Sequence, residues 1–240
     1  MANNAKHPQV PLLLTRPVDS GRAFFDALPS ETAALVSPLE TPLIEIVRSN
    51  TLAPDMDAAI ITSSNVLPFA GAGRGRKAYC VGAATTAKAQ HRGWDAQNMG
   101  LTADALVSAL IATPPSEELV HLSGEHTRGH IAQRLNHSGL KVDHAILYTQ
   151  RLLLLSSEAA ALLEREISVI VPLFSPRSAA QFAACVQNST RANLYVLALS
   201  PAVAAEIRHV KSSMLHVCAA PEQTAMVELV KNVAEHLTLG

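Results

Sequence analysis

The feature that most restricts the fold is a recurrence of short apolar runs of strand length. They are VPLLLT (10–15), TAALV (32–36), AAIIT (58–62), AYCVG (78–82), ELVHLS (118–123), VDHAILY (142–148), ISVIVPLF (167–174), LYVLALS (194–200) and MLHVCA (214–219). Rich in Val, Leu and Ile and with little polar alternation, they describe strands covered on both faces. The segments between them have helical period. In the last, Met226, Leu229, Val230, Val233 and Leu237 fall on one helix face. Strands that alternate with amphipathic helices predict an α/β protein with parallel sheets flanked by helices.

The pattern also repeats. Ile61-Thr62-Ser63-Ser64-Asn65, a strand running into a helix, is matched by Leu173-Phe174-Ser175-Pro176-Arg177 in the second half. VGAATTAKA (81–89) is matched by LSPAVAAEI (199–207), and LLLTRPVDSGRAF by VHLSGEHTRGHI. Two segments, SPLETPLIEIVRSN (37–50) and AILYTQRLLLL (145–155), interrupt the alternation at equivalent places and read as a pair of extended crossings. With 240 residues the chain is long enough for one large core or two ordinary ones.

Charge narrows the function classes. Lys and Arg number 19 against 20 acidic residues, so no global field draws nucleic acid or an acidic membrane. Cys80, Cys185 and Cys218 stand far apart with no CxxC spacing, which speaks against a disulfide framework or zinc knuckle. Neither a signal-peptide pattern nor a long apolar span occurs, and the expectation is a soluble cytoplasmic protein.

Familiar catalytic signatures are absent. Gly71-Ala72-Gly73-Arg74-Gly75 does not have dinucleotide or P-loop spacing and reads as a flexible turn, with Arg74, Arg76 and Lys77 a solvated basic patch. His126 and His130 have i, i+4 spacing on an expected helix, but the glutamate of HExxH is missing, and no metal is expected. Ser175 lies outside any G-x-S-x-G elbow.

What recurs instead is a set of polar turns at strand ends: Thr15-Arg16, Thr62-Ser63-Ser64, Gly82 to Thr86, Ser123-Gly124-Glu125, Ser175-Pro176-Arg177 and Ser200-Pro201. Crevices at the carboxyl ends of parallel strands are where such sheets bind ligands, and helix N-termini there suit anions. Any one of these hydroxyls is also an ordinary N-cap. As a set they point to a multiply anionic ligand.

The motifs LLLTRP (12–17), PLIEIV (42–47), AAIITSSNV (58–66), YCVGAATTAKA (79–89), GLTADAL (100–106), LSGEHTRGHIAQRL (122–135), AILYTQ (145–150), PLFSPRSAAQF (172–182) and AAPEQTAMVELV (219–230) follow one another along nearly the whole chain. In that order the chain resembles uroporphyrinogen-III synthase. The resemblance implies two flavodoxin-like domains, residues 1–42 plus 151–240 and residues 43–150, joined by extended linkers near 38–47 and 146–153. It implies closure of hydroxymethylbilane to uroporphyrinogen III, with loss of water and inversion of the last pyrrole ring. No cofactor is implied, and the unstable substrate implies at most a transient contact with hydroxymethylbilane synthase.

By motif, the resemblance carries over Tyr148 as proton donor and Thr85 as catalytic residues. The expected substrate-binding residues are Thr15, Arg16, Thr62, Ser63, Ser64, Gly82, Thr86, Ser123, Gly124, Arg128, Ser175 and Ser200, with Ser63, Ser64, Ser123, Gly124, Arg128 and Ser175 expected to take carboxylates. Two departures stand out. Ala202 and Val203 replace the hydroxyls of the family's second turn, and the short stretch between Ser63 and Tyr79 trims a helix. The alternative reading is a non-catalytic anion- or tetrapyrrole-binding protein of the same fold.

Overall fold

A computed structural model describes residues 9–127, 129–186 and 190–239. The chain divides into two compact units, Met1–Glu45 with Leu152–Gly240, and Ile46–Arg151.

Unit 1 is built on strands β1 (Val10–Leu14), β2 (Val36–Glu40), β9 (Ser168–Leu173), β10 (Asn193–Ala198) and β11 (Met214–Val217), in the order β11-β10-β9-β1-β2. All pairings are parallel, and counted within the unit the order is the flavodoxin-type 2-1-3-4-5. Alternate residues feed opposite faces. Leu12, Ile170 and Leu197 meet Phe24 of α1 (Val18–Asp26) and Met226, Val230 and Val233 of α9 (Gln223–Leu239). Leu13, Val169 and Val171 meet Leu163 of α6 (Ser157–Leu163), Phe182 of α7 (Pro176–Cys185) and Val203 of α8 (Pro201–Ile207). Two-sided burial explains why these strands show no polar alternation.

Unit 2 holds β3 (Ile44–Arg48), whose first residues lie at the unit boundary, with β4 (Ala58–Ile61), β5 (Lys77–Cys80), β6 (Asp95–Asn98), β7 (Leu119–Gly124) and β8 (Val142–Leu152). The order is β3-β8-β7-β4-β5-β6, with β4 to β8 running parallel. One face carries Ile61, Val66, Leu67, Trp94, Leu122 and Tyr148, alongside α3 (Ala83–His91). The other packs Ile60, Tyr79 and Leu119 against Leu106 and Leu110 of α4 (Ala103–Ala112) and Ile131 and Leu135 of α5 (Ile131–His137). Between β4 and β5 the expected helix is reduced to a single 3-10 turn, Ser64–Val66.

Several local expectations change. TAALV is not a strand: Ser30–Leu35 forms a short helix, α2, and the strand begins at Val36. Pro29 opens that helix and Thr32 is fully buried within it, while Pro38 is tolerated because β2 is an edge strand. Asp95–Asn98 is a strand with no apolar signature, since β6 lies at the sheet edge and buries only Ala96. His126 precedes α5 in an irregular segment and His130 is that helix's N-cap at φ 44°, so the two do not share a helix face. Arg76 is only partly solvated: it donates to Gly73 O and Ala72 O and lies 4.7 Å over the Trp94 ring. Among the described residues no helix is long and apolar enough to cross a membrane.

Candidate functional site

In a sheet of this kind, neighbouring strands whose connections leave for opposite faces open a crevice at their carboxyl ends. In unit 2 those strands are β4 and β7, and a cleft of about 290 Å³ lies there, lined by Thr62, Ser63, Ser123, Gly124, Tyr148 and Gln150 with residues of the loop before α4. Its walls combine hydroxyls, an amide and backbone with the apolar side chains of Val81 and Leu101 and the imidazole of His126.

Tyr148 is the side chain that most defines the cleft, and its position follows from a chain of local causes. A register shift in the β7–β8 pairing sets Ser123 opposite Ile146 but Gly124 opposite Tyr148. Such bulges re-aim side chains, and here the phenol ring lies directly on Gly124. A Cβ at Gly124 would stand 2.4 Å from Tyr148 Cζ and 2.9 Å from Oη. Only glycine gives the ring this seat. Phe69 stacks on it from the far side at 6.2 Å between centroids, and Tyr148 is 3% exposed. Burial pushes its pKa above the ordinary tyrosine value, and the neighbouring side chains of Ser63 and Asn65 pull it part of the way back. At neutral pH the group is a neutral, oriented hydroxyl.

Ser63 serves twice, because its Oγ also accepts the Asn65 amide at 3.3 Å and so closes the 3-10 turn that carries Asn65. Ser64 opens that turn and Thr62 precedes it, both half-buried. Ser123 is placed differently. Its hydroxyl contacts Gly124 O at 2.9 Å and His144 Nε2 at 2.7 Å, and the ring of His144 stacks on that of His121 at 5.0 Å. If the serine proton goes to Gly124 O, His144 Nε2 must be the donor to Ser123, so the hydroxyl is fully engaged. Burial and the neighbouring His144 lower the His121 pKa to about 4, and burial lowers that of His144.

On the adjoining α3, Gly82 is the N-cap at φ 80° and needs glycine for that conformation. Thr86 is buried with Oγ1 donating to Gly82 O at 3.0 Å, which ties it into its own helix. Thr85 is half-buried, and its hydroxyl makes no hydrogen bond among the described residues. Arg128 lies outside the described residues.

In unit 1, Thr15 is 1% exposed and donates to Pro172 O at 3.3 Å, which ties β1 to β9. Ser175 accepts the Ser178 amide at 3.1 Å and Ser200 the Val203 amide at 3.4 Å, so both cap helices. Ala202 is exposed, whereas Val203 is built into the core. Arg16 lies half-buried over the Phe174 ring, 4.3 Å from its centroid.

The sequence reading did not single out Asn65, Phe69 or the His121–His144 pair. For Asn65 the available signal was the capping spacing Ser63-x-Asn65; the other two contacts depend on sheet register, which brings His121 opposite His144.

Comparison with solved structures bears on the fold. Uroporphyrinogen-III synthetase from Helicobacter pylori superposes with a TM-score of 0.65 at 15% identity, over 94% of this chain and 100% of that one. A mutant uroporphyrinogen III synthase from Thermus thermophilus gives a TM-score of 0.49 at 15% identity, over 95% and 99% of the two chains. No curated protein matches by sequence. The family model for uroporphyrinogen-III synthase HemD, however, matches residues 31–228, a span that takes in every strand from β2 to β11 and the Tyr148 cleft, and the chain belongs to that family.

Proposed function

We propose that the protein closes hydroxymethylbilane to uroporphyrinogen III, acting as a cyclising hydro-lyase in tetrapyrrole synthesis. The observation that carries this reading is the Tyr148 phenol, buried, kept neutral by that burial and neighboured by Ser63 and Asn65, in a cleft without a carboxylate, lysine or arginine in its described lining. The substrate's terminal hydroxymethyl group must lose its hydroxyl as water. Electron donation by the pyrrole nitrogen stabilises the cation left behind, and a hydrogen-bond donor at the departing oxygen lowers the barrier. Tyr148 Oη is that donor, and the proton released when the closed ring regains aromaticity balances the one taken up by the leaving hydroxyl.

An uncharged site suits this chemistry. A carboxylate beside the cation would trap it in an ion pair, and a basic nucleophile would intercept it. The protein's main task is to hold the last ring so that closure occurs at its substituted carbon, which is catalysis by orientation. Neutral amides and hydroxyls around Gly124, Thr102 and Gln150 hold the substrate's periphery through hydrogen bonds that ask for no strict charge pattern.

The test supplies freshly prepared hydroxymethylbilane and resolves the product isomers. Uncatalysed closure gives the type I ring, so the expected result is the type III isomer at a rate proportional to protein. Only type I, at the rate of the protein-free control, overturns the reading. A second reading, a non-catalytic tetrapyrrole binder, draws support from the engagement of Ser123, Ser175 and Ser200 in structural hydrogen bonds. It requires binding without type III product.

A further inference from the structure

Two histidines stand across from each other in the middle of the unit 2 sheet, where apolar residues would be expected. His121 of β7 is paired with His144 of β8 and, on its other side, with Ile60 of β4, a residue of the face that α4 and α5 cover. His121 is 1% exposed and its Nε2 has no hydrogen-bond partner among the described residues. An orphaned polar atom in a core is unfavourable, and a leucine would fill the place without that cost. What a leucine lacks is a flat ring. His144 lies against that ring, with centroids 5.0 Å apart and planes within 13° of parallel. His144 itself is at the surface, where a side chain ordinarily keeps its rotamer freedom. Stacking on a buried, fixed neighbour takes that freedom away.

The imidazole so held reaches Ser123. In the ladder Ser123 stands opposite Ile146, which makes His144 its diagonal neighbour, a distance a long side chain can bridge. His144 Nε2 lies 2.7 Å from Ser123 Oγ, whose own proton goes to Gly124 O at 2.9 Å. The imidazole is therefore the donor, and the hydroxyl is held at both ends. These bonds sit on one side of the register shift that passes over Leu147 and sets Gly124 opposite Tyr148. On the other side, Glu125 N donates to Tyr148 O at 3.0 Å. The bulge beneath the phenol is thus tied on both flanks, by main chain on one and by side chains on the other. A bulge interrupts the ladder locally, and a group that must be placed to a fraction of an ångström needs supporting contacts in compensation.

We propose that His144, braced by His121, is a positioning residue that acts through Ser123 to fix the β7–β8 bulge and with it the seat of the Tyr148 phenol on Gly124. Its effect on turnover rests on the synthase reading above, whereas its effect on the ring does not, and the two are read separately. In the full-length protein, isotopically labelled at tyrosine Cζ, NMR reports the ring; the Tyr148 signal is the one absent from Tyr148→Phe. Formation of the type III isomer from hydroxymethylbilane reports turnover.

His144→Phe keeps a ring on His121 and removes the donor. The Tyr148 signal should shift toward that of an exposed tyrosine, and kcat should fall about threefold with KM little changed, because the phenol is loosened rather than lost. His144→Gln, whose side-chain amide offers an N–H to Ser123 as the imidazole does, should restore both. Ser123→Ala cuts the same tie from its other end, so adding His144→Phe to it should change neither quantity further. An unmoved Tyr148 signal in His144→Phe overturns the proposal whatever kcat does, as does a His144→Gln protein no better than His144→Phe, or losses that simply add in the double variant. A shifted Tyr148 signal in a protein that makes no type III isomer sustains the positioning and removes the synthase reading. Type III formation by His144→Phe at the wild-type kcat, with the signal in place, does the reverse. Should His144→Phe fail to fold, Ser123→Ala alone gives the same two readouts.

Discussion

The strand ends of the two units make an instructive pair. In unit 2 the crevice between β4 and β7 is defined by a buried phenol on a bare glycine, while in unit 1 the ends of β1 and β9 present a guanidinium on a phenyl ring. Both follow from one rule of parallel sheets, that chain connections diverging to opposite faces expose the strand ends. The chemistry differs because of what the first helical turn consumes. In unit 1 the hydroxyls of Ser175 and Ser200 are taken up as caps, while the Arg16 guanidinium rests on the Phe174 ring. In unit 2 Ser63 caps a turn too short to be an α-helix and still reaches Tyr148. A strand-end serine is thus a poor guide to binding until its partner is known.

The sharpest way to break this comparison is to fill the seat of the phenol. Gly124→Ala places a methyl group where Tyr148 Cζ stands 2.4 Å away, so ring or strand must move. Formation of the type III isomer should fall about a hundredfold, as expected for a displacement of about 1 Å at a positioned group. Stability should fall by about 1–3 kcal/mol, read from urea midpoints. Unchanged kinetics would show that the seat is not needed.

A second prediction concerns the histidine pair beneath Ser123. The folded-state pKa of His121 is depressed to about 4, so between about 6.5 and 4 the unfolded chain binds the proton and the folded one does not. Stability contributed by neutral His121 is therefore present above pH 6.5 and is lost as pH falls toward 4. The shift corresponds to about 3 kcal/mol. In His121→Leu the loss of stability between pH 7.5 and pH 4.5 should shrink relative to the wild type, as measured by urea denaturation at both pH values. Parallel pH dependences in the two proteins would contradict the assignment.

Tyr148→Phe removes the hydroxyl and keeps the ring on Gly124. The expected result is about a tenfold fall in kcat with KM little changed, because a phenol assists departure of a hydroxyl that the pyrrole already promotes. Because burial raises the phenol's pKa, the wild-type rate should show no basic limb from Tyr148 below the ordinary tyrosine value near 10. The smallest effects belong to unit 1's caps. Ser175→Ala and Ser200→Ala should each cost about 1 kcal/mol of stability while leaving KM for the bilane unchanged. A raised KM in either would return a binding role to the hydroxyl and erase the contrast between the units.

The amino-acid order discloses the fold class readily, and the reason is burial. Strands such as AAIIT and ISVIVPLF are covered on both faces and so carry an apolar run that no other element of that length requires. β6 escaped notice for the converse reason, since an edge strand of DAQN needs little from its side chains, and TAALV misled because a two-turn helix and a strand of that composition share a pattern. At the site, Tyr148, Gly124 and Ser63 are accessible through family motifs. Their mutual arrangement is not, because it depends on the register shift between β7 and β8, and a one-residue slip would point the phenol elsewhere. Likewise nothing local in LLLTRP announces that Arg16 rests on Phe174, more than 150 positions away in the chain.

The discontinuity of unit 1 has a consequence for how the protein is made. β1 and β2 leave the ribosome first, but Leu12 must wait for Ile170 before its second edge is paired. At bacterial or eukaryotic elongation rates that interval is on the order of ten seconds. All of Ile46–Arg151 emerges meanwhile and holds every strand its own sheet needs beyond β3, so unit 2 is positioned to fold while an apolar β1 edge is still open. Vectorial synthesis thus makes VPLLL the segment of this chain most in need of protection from other nascent chains.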